Sequence, residues 1–231
     1  MANFDVQILD LINTPEFDGS TSAQQTAMDG WATDAVKELI NMMPYEMQLE
    51  TSSITKLYIG NTDTFMDLDA PGKVLHVTRE NADSGYFVEC RRIPPAMSGS
   101  ILDSSSLHYI NSTTPTDPVY WIESDSGTDP RLHVYPTPTA NQPAKVYHVA
   151  FPTLGSTTGV INVSEGDAIV NFPDELYYLM NLYVAIKIAE SLMISEEDIE
   201  LFAPIVQTLK QDYVQGLQAS GLAGAQPQQG A

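Results

Sequence analysis

Apolar residues near the start of the chain recur with the spacing of an amphipathic helix. Between Ser20 and Met43 they return every three or four positions, and Ser20 or Ser22 can cap the start. The segment Phe4–Ile12 has the same spacing over a shorter length. The pattern therefore predicts two helices within residues 1–44.

Residues 45–170 have a different pattern, with short β-branched and aromatic runs separated by Pro, Gly, Asp, Asn and Ser. No crossover helix fits between these runs, so we expect an antiparallel sheet. Val119–Glu123 and Arg131–Tyr135 flank a turn-rich segment and should pair as a hairpin, with the next strand continuing a meander. Six strands are predicted: Ile54–Ile59, Val74–Thr78, Tyr86–Cys90, Val119–Glu123, Arg131–Tyr135 and Lys145–Ala150.

A further helix is expected where Phe172–Glu175 opens the last third of the sequence. Its proline fits a first helical turn because the missing N–H would be unpaired there, and its acidic residues suit the positive end of the helix dipole. From Leu176 to Ile194 the helix is apolar on almost every side, so one small core cannot bury it. We therefore expect other protomers to cover part of it, at an oligomer interface that contains Leu176, Leu179, Met180, Tyr183 and Ile186.

A second helix follows at once, because Ser195 can act as an N-cap before three acidic residues. It should run to about Gln215 and form a tight antiparallel hairpin with the preceding helix. Gly216–Ala231 has no charged residue and too few apolar ones to build a core. This segment is predicted to be a flexible tail that becomes ordered on a partner, with Leu217 and Leu222 as anchors.

Together these patterns predict an α+β protein. Its helical bundle is built from N-terminal helices within residues 1–44 and a C-terminal hairpin within residues 171–215. An inserted antiparallel β domain occupies residues 45–170, and residues 216–231 form an extended C-terminal tail.

Charge separates this chain from nucleic-acid-binding proteins. Its 231 residues include 30 acidic and 10 basic side chains, a formal charge of −20 that repels a phosphate backbone.

The only cysteine, Cys90, allows neither an intrachain disulfide nor a thiolate zinc site, so we expect assembly in a reducing cytoplasm. Met1–Asp5 lacks the features of a signal peptide. Asn181, Lys187 and Glu190 interrupt the most apolar helix, which argues against a membrane span.

Motifs for catalysis and for metal or cofactor binding are missing from the sequence. It contains no HExxH, GxSxG, GxGxxG or GxxxxGK[ST]. Asp63, Asp67 and Asp69 alternate as EF-hand ligands do, but no glycine or terminal Glu completes that loop. We therefore predict a non-enzymatic protein with no catalytic residue, metal site or cofactor. The histidines are scattered and are expected to be exposed strand residues: His76, His108, His133 and His148.

Three motifs follow one another in the second half of the sequence: Asp117–Ile122, Leu132–Pro138, and Phe172–Leu176 with Leu182–Ala185 downstream. Their order and spacing resemble those of the head-to-tail adaptor proteins of tailed bacteriophages, in particular those of short-tailed, T7-like phages and of related phages of aquatic bacteria. The resemblance covers roughly Leu107 to Gln215.

The resemblance implies a ring, a dodecamer, bound below the capsid portal in the neck of the virion. The helical bundle would surround a channel through which genomic DNA passes without specific binding, and the β domain would face outward or toward a tail nozzle or neck protein. We expect no membrane partner. The tail would contact the portal through Gln215, Leu217, Gln218 and Leu222.

Two alternatives remain open at this stage. One is a neck or tail-completion protein without direct portal contact. The other is a β-rich attachment module that uses Tyr120, Trp121 and Tyr135 to stack on a carbohydrate. Strand alternation places Tyr120 and Trp121 on opposite faces, which weakens the second alternative.

Overall fold

The computed structural model describes an α+β protein, as predicted from the sequence. It describes residues 4–14, 17, 19–57, 65–67, 71–81, 85–110, 117–124, 130–151, 169 and 172–222. The α-helices within these residues are α1 (Phe4–Ile12), α2 (Ser22–Met42), α3 (Tyr45–Glu50), α4 (Ser98–Leu102), α5 (Tyr177–Leu192) and α6 (Glu196–Ala219). The strands are β1 (Ser53–Leu57), β2 (Met66–Asp67), β3 (Pro71–Glu80), β4 (Phe87–Glu89), β5 (Arg91–Arg92), β6 (Val119–Ser124), β7 (Pro130–Tyr135) and β8 (Ala144–Ala150).

Contacts between residues divide the chain into two compact units. Met1–Thr51 and Phe151–Ala231 form the helical unit, which contains α1, α2, α3, α5 and α6. Ser52–Ala150 form the β unit, which contains all the described strands together with α4. The β unit thus lies, in the sequence, between two segments of the helical unit.

Helix α5 is the central element of the helical unit, since α1, α2 and α6 all pack against it. Most of its apolar residues are covered within the one chain: Leu182, Val184 and Ile188 have no exposed surface, whereas Tyr178 is 54% exposed. Other protomers are therefore not needed to bury most of this helix, because three helices of the same chain already do so. An interface with other protomers on this helix stays a prediction. Of the five residues expected at an oligomer interface, Tyr183 is partly exposed and the others are buried: Leu176, Leu179, Met180 and Ile186.

Reciprocal hydrogen bonds fix where the two longest helices begin. The Thr21 hydroxyl accepts from the backbone N–H of Gln24 (3.2 Å), and the Thr21 N–H donates to the Gln24 side chain (3.4 Å). Thr21 is therefore the cap of α2, and the neighbouring serines expected in that role are not. Ser195 and Asp198 form the same kind of pair at the start of α6, which confirms the predicted cap.

The end of α6 differs from the sequence-based prediction, because the helix continues and closes with a Schellman motif. The N–H of Leu222 donates to the carbonyl of Leu217 (2.9 Å), and this hydrogen bond closes a loop of six residues. The N–H of Gly221 donates to the carbonyl of Gln218 (3.2 Å). Gly221 has a φ of +73°, which glycine adopts without strain. Since Leu222 is buried, residues 216–222 belong to the folded helical unit and not to a flexible tail.

The described strands form two four-stranded sheets, with the orders β1-β8-β3-β4 and β2-β7-β6-β5. The predicted hairpin of β6 and β7 is confirmed, with Trp121 opposite His133. The predicted meander is wrong for β8, which pairs with β1 and β3 in the other sheet. The expectation of a wholly antiparallel sheet also needs correction, because β5 runs parallel to β6.

The segment Phe87–Arg92 links the two sheets. Cys90 donates its N–H to the Val77 carbonyl in β3 (2.7 Å), whereas Arg91 donates to the Pro118 carbonyl just before β6 (2.9 Å). Neighbouring residues of an extended chain present their N–H groups to opposite sides. One stretch of chain therefore supplies the edge strand of each sheet, β4 for one and β5 for the other.

Tyr120 and Trp121 lie on opposite faces of β6, as strand alternation predicts. Tyr120 packs in a cluster with Val77 and Leu132, which come from both sheets. Trp121 packs in a second cluster with Ile101 and is only 8% exposed. Trp121 therefore offers no exposed ring face on which a carbohydrate could stack.

Candidate assembly surface

Helices α5 and α6 form an antiparallel hairpin joined by residues 193–195. The ring of Tyr183 lies 6.1 Å from that of Tyr213. Nearer the turn, a carboxylate oxygen of Glu190 lies 2.7 Å from the Nζ of Lys210. Tyr183 pairs with Tyr213, and the later α5 residue Glu190 pairs with the earlier α6 residue Lys210. The two helices therefore run in opposite directions, which confirms the predicted antiparallel arrangement.

A glycine sets the spacing of this hairpin. A Cβ atom at Gly216 would lie 2.5 Å from Cδ2 of Leu179, far closer than two carbon atoms can approach. Leu179 is buried, so its side chain has little room to move away. Gly216 therefore belongs to the packing of two helices, although the sequence reads as the start of a flexible segment.

Glu190 lies between two lysines on this hairpin. Its carboxylate is 2.7 Å from Lys210 Nζ and 3.3 Å from Lys187 Nζ. The hydrogen bond from Lys210 is the main cause that holds the pKa of Glu190 below its usual value, and Lys187 acts in the same direction. At neutral pH the three side chains together carry a net charge of +1.

The formal charge is divided unequally between the two units. The segments of the helical unit contain 19 acidic and 3 basic residues, a formal charge of −16. The β unit contains 11 acidic and 7 basic residues, a formal charge of −4. The helical unit therefore carries most of the negative charge of the molecule.

An open groove of about 590 Å³ runs along one flank of α6, and we call it the α6 groove. Lys210 is the one charged residue among the described residues that line it. The uncharged lining residues recur every three or four positions, so they share one face of the helix. They include Ala203, Gln207, Gln211, Val214, Gln215 and Gln218.

The residues predicted to bind a partner are not all available for that role. Gln215 and Gln218 are exposed and line the α6 groove together, whereas Leu217 is partly buried and Leu222 is buried. Residues 223–231 lie outside the described residues. The sequence did not lead us to predict the groove residues before Gln215. The four-residue spacing of Gln207, Gln211 and Gln215, which places them on one face of a helix, is the pattern that could have indicated them.

The described residues contain no cluster of three His, Cys, Asp or Glu side chains able to hold a metal ion. Asp63 and Asp69 of the EF-hand-like spacing lie outside the described residues. The Nε2 atom of His148 lies 2.9 Å from the hydroxyl oxygen of Thr55, and burial lowers the pKa of His148.

None of the described helices has the length and the hydropathy needed to cross a bilayer.

Comparison with known protein families identifies the class of this protein. The profile of the SU10 adaptor protein family matches residues 6–229, nearly the whole sequence. The chain belongs to the SU10 adaptor protein family. This is a family of phage head-to-tail adaptors, so the resemblance carried by the three motifs is confirmed.

Membership of the SU10 adaptor family also extends the resemblance. The matched residues include most of α1 and all of α2, which the motifs did not cover. A phage adaptor is a structural protein, so the family supports a non-enzymatic role. No curated protein matches this chain.

Proposed function

We propose that this protein forms a ring, a dodecamer, between the capsid portal and the tail and that genomic DNA passes through the ring. Its partners are further copies of itself, the portal protein, and a tail nozzle or neck protein. It is assembled in the host cytoplasm, resides in the neck of the virion and performs no catalysis. Membership of the adaptor family supports this role.

The excess of acidic residues in the helical unit is the main support for this proposal. A channel for DNA must not bind the duplex, because each Lys or Arg that neutralises a phosphate releases counterions and tightens binding. With 19 acidic and 3 basic residues, the helical unit would repel the phosphates instead. In the proposed ring the helical unit therefore lines the channel, and the β unit faces outward or toward the tail.

Portal attachment is proposed for the C-terminal end of α6 and the residues that follow. Gln215 and Gln218 are exposed there, and the Schellman motif holds Leu217 and Leu222 at the end of the helix. Residues 223–231 are uncharged, so they approach another protein without electrostatic repulsion. Extended, these nine residues span about 30 Å.

Electron microscopy of the purified chain, alone and mixed with purified portal protein, tests this function. The expected result is a ring with a central opening, alone or seated on the portal. Co-sedimentation with the portal gives an independent readout of attachment. Particles that remain single subunits in both samples, with no co-sedimentation, would contradict the proposal.

A further inference from the structure

Two different surfaces of the helical unit lie on opposite sides of α5. Helix α6 contacts α5 at Leu179 and Tyr183, whereas α1 contacts it at Tyr177 and Asn181. At about 100° per residue, these two pairs of positions lie roughly half a turn apart on α5. The α6 groove and the outer face of α1 are therefore presented on different sides of one subunit.

The outer face of α1 has the chemistry to occupy the α6 groove. Val6 is about half exposed, and Asp10 lies one turn further on the same face of the helix and is also exposed. The outer face of α1 therefore combines an exposed apolar side chain, Val6, with the carboxylate of Asp10.

The groove complements that face in both respects. Its wall contains Val214, which is 51% exposed, and Ala203, while Lys210 belongs to a trio of charges with a net charge of +1. Most of the surface of so acidic a unit would repel a second copy, whereas this uncharged flank with one lysine does not. Asp10 of a second copy would meet Lys210, whose side chain is 55% exposed although it is paired with Glu190.

We propose that α1 of one copy packs into the α6 groove of the next copy, with Val6 against Val214. This inference rests on the proposed ring. A contact between two different patches on opposite sides of a subunit is heterologous, and such contacts close into rings when the rotation between subunits allows it. Gln215 and Gln218, at the C-terminal end of the groove, remain available to the portal.

Engineered cysteines test this contact directly. Val6→Cys combined with Val214→Cys, in rings purified under reducing conditions and then oxidised, should give a ladder of covalent oligomers that reductant abolishes. Native Cys90 does not interfere, because it is buried and burial raises the pKa of its thiol to about 12. The matched control is Val6→Cys with Leu201→Cys, since Leu201 is 59% exposed on the opposite flank of α6.

A second pair of variants tests the energetics. Val214→Glu should reduce the ring fraction at least about tenfold, because it places a carboxylate against the apolar side chain of Val6 and within one helical turn of Asp10 of the neighbour. Leu201→Glu, the same change outside the groove, should leave the rings intact. Both positions are exposed, so both variants should melt as the wild type does.

The outcomes separate this inference from the proposed function. Wild-type rings with no ladder from the Val6→Cys, Val214→Cys variant, or with equal ladders from the test and control pairs, overturn the inference and leave the function standing. Wild-type samples without rings, alone or with portal, overturn both. A ladder confined to the test pair, together with loss of rings in Val214→Glu only, supports the contact.

Discussion

Gly216 is the residue at which side-chain size matters most for the α5–α6 hairpin. Gly216→Ala gains about 1 kcal/mol of helix propensity but places a methyl group against buried Leu179. Overpacking a close contact costs about 1–3 kcal/mol, so we expect a net loss of roughly 1 kcal/mol in the free energy of unfolding. Urea unfolding followed by circular dichroism measures it.

Gly30 provides the matched control for this prediction. It lies inside α2, is exposed, and has no atom within 4 Å of where a Cβ would be. Gly30→Ala should therefore stabilise the protein by up to about 1 kcal/mol. If Gly216→Ala stabilises the protein as much as Gly30→Ala does, the close approach of the two helices does not need a glycine.

Arg79 is the one arginine in the buried part of the β unit that the structure describes. Its guanidinium donates to the carbonyl oxygens of Pro136 (2.7 Å), Glu80 (3.0 Å) and Thr137 (3.4 Å) and to the side-chain oxygen of Gln142 (3.4 Å). Desolvation lowers its pKa, and these acceptors offset part of that cost. The side chain therefore holds the connection between β7 and β8 against β3.

Arg79→Met keeps most of the apolar stem but leaves these carbonyl groups without a donor. We expect a loss of about 3 kcal/mol in the free energy of unfolding, since hydrogen bonds to charged groups contribute about 1.5–3 kcal/mol each and are not additive. Arg92→Met, at an exposed position, should change it by less than about 0.5 kcal/mol. Similar denaturation midpoints for the two variants would contradict this role for Arg79.

At the scale of elements, sequence periodicity was sufficient where a segment is long or alternates cleanly. Helices α1, α2, α5 and α6 and all six predicted strands are present. The elements that escaped prediction are short: β2 and β5 have two residues each, and α3 and α4 have six and five. Such segments contain too few residues to show a period, and their formation depends on the neighbours they pair with.

Pairing between distant strands also lies beyond local pattern. Nothing in Ala144–Ala150 distinguishes a third strand of a meander from a strand that crosses to β1 and β3. The apolar content of α5 suggested that this helix faces other subunits. The sequence alone does not reveal that α1, α2 and α6 of the same chain pack around it. The end of α6 was in principle readable, since Gly221 followed by Leu222 matches a Schellman cap.

Two deletions test where the folded part of α6 ends and where portal binding begins. Removing residues 217–231 eliminates the last turn of α6, Gly221 and buried Leu222, so we expect a lower melting temperature. Removing only residues 223–231 should leave the melting temperature unchanged and abolish co-sedimentation with the portal. Full portal binding by the shorter deletion would move the attachment site back to Gln215 and Gln218.

At the scale of the whole molecule, charge links composition to the proposed role. The formal charge of −20 argues against DNA binding as a main activity from the sequence alone, but only the division into units shows that the helical unit carries most of that charge. An acidic surface hinders contact between copies wherever two such surfaces meet. A ring of this protein therefore needs contact surfaces of low charge, and the α6 groove is one.

If helical units line the channel of the ring, reversing charges on them should change how strongly the rings retain DNA. Asp34 and Glu46 are exposed residues of α2 and α3, and replacing both with Lys would add phosphate-binding groups to the channel. Wild-type rings should not retain duplex DNA at low salt, whereas the double variant should retain it with a salt dependence that steepens by about 0.9 per new phosphate contact.

The matched control reverses two exposed carboxylates of the β unit, Glu89 and Asp103, to Lys. These rings have the same net charge as the Asp34→Lys, Glu46→Lys rings, so any difference in DNA retention reports where the charges lie and not how many there are. Filter binding of a short duplex across a series of salt concentrations measures both. If the β-unit variant retains DNA as strongly as the helical-unit variant, the helical unit does not line the channel, because only charges facing the duplex at close range escape screening by salt.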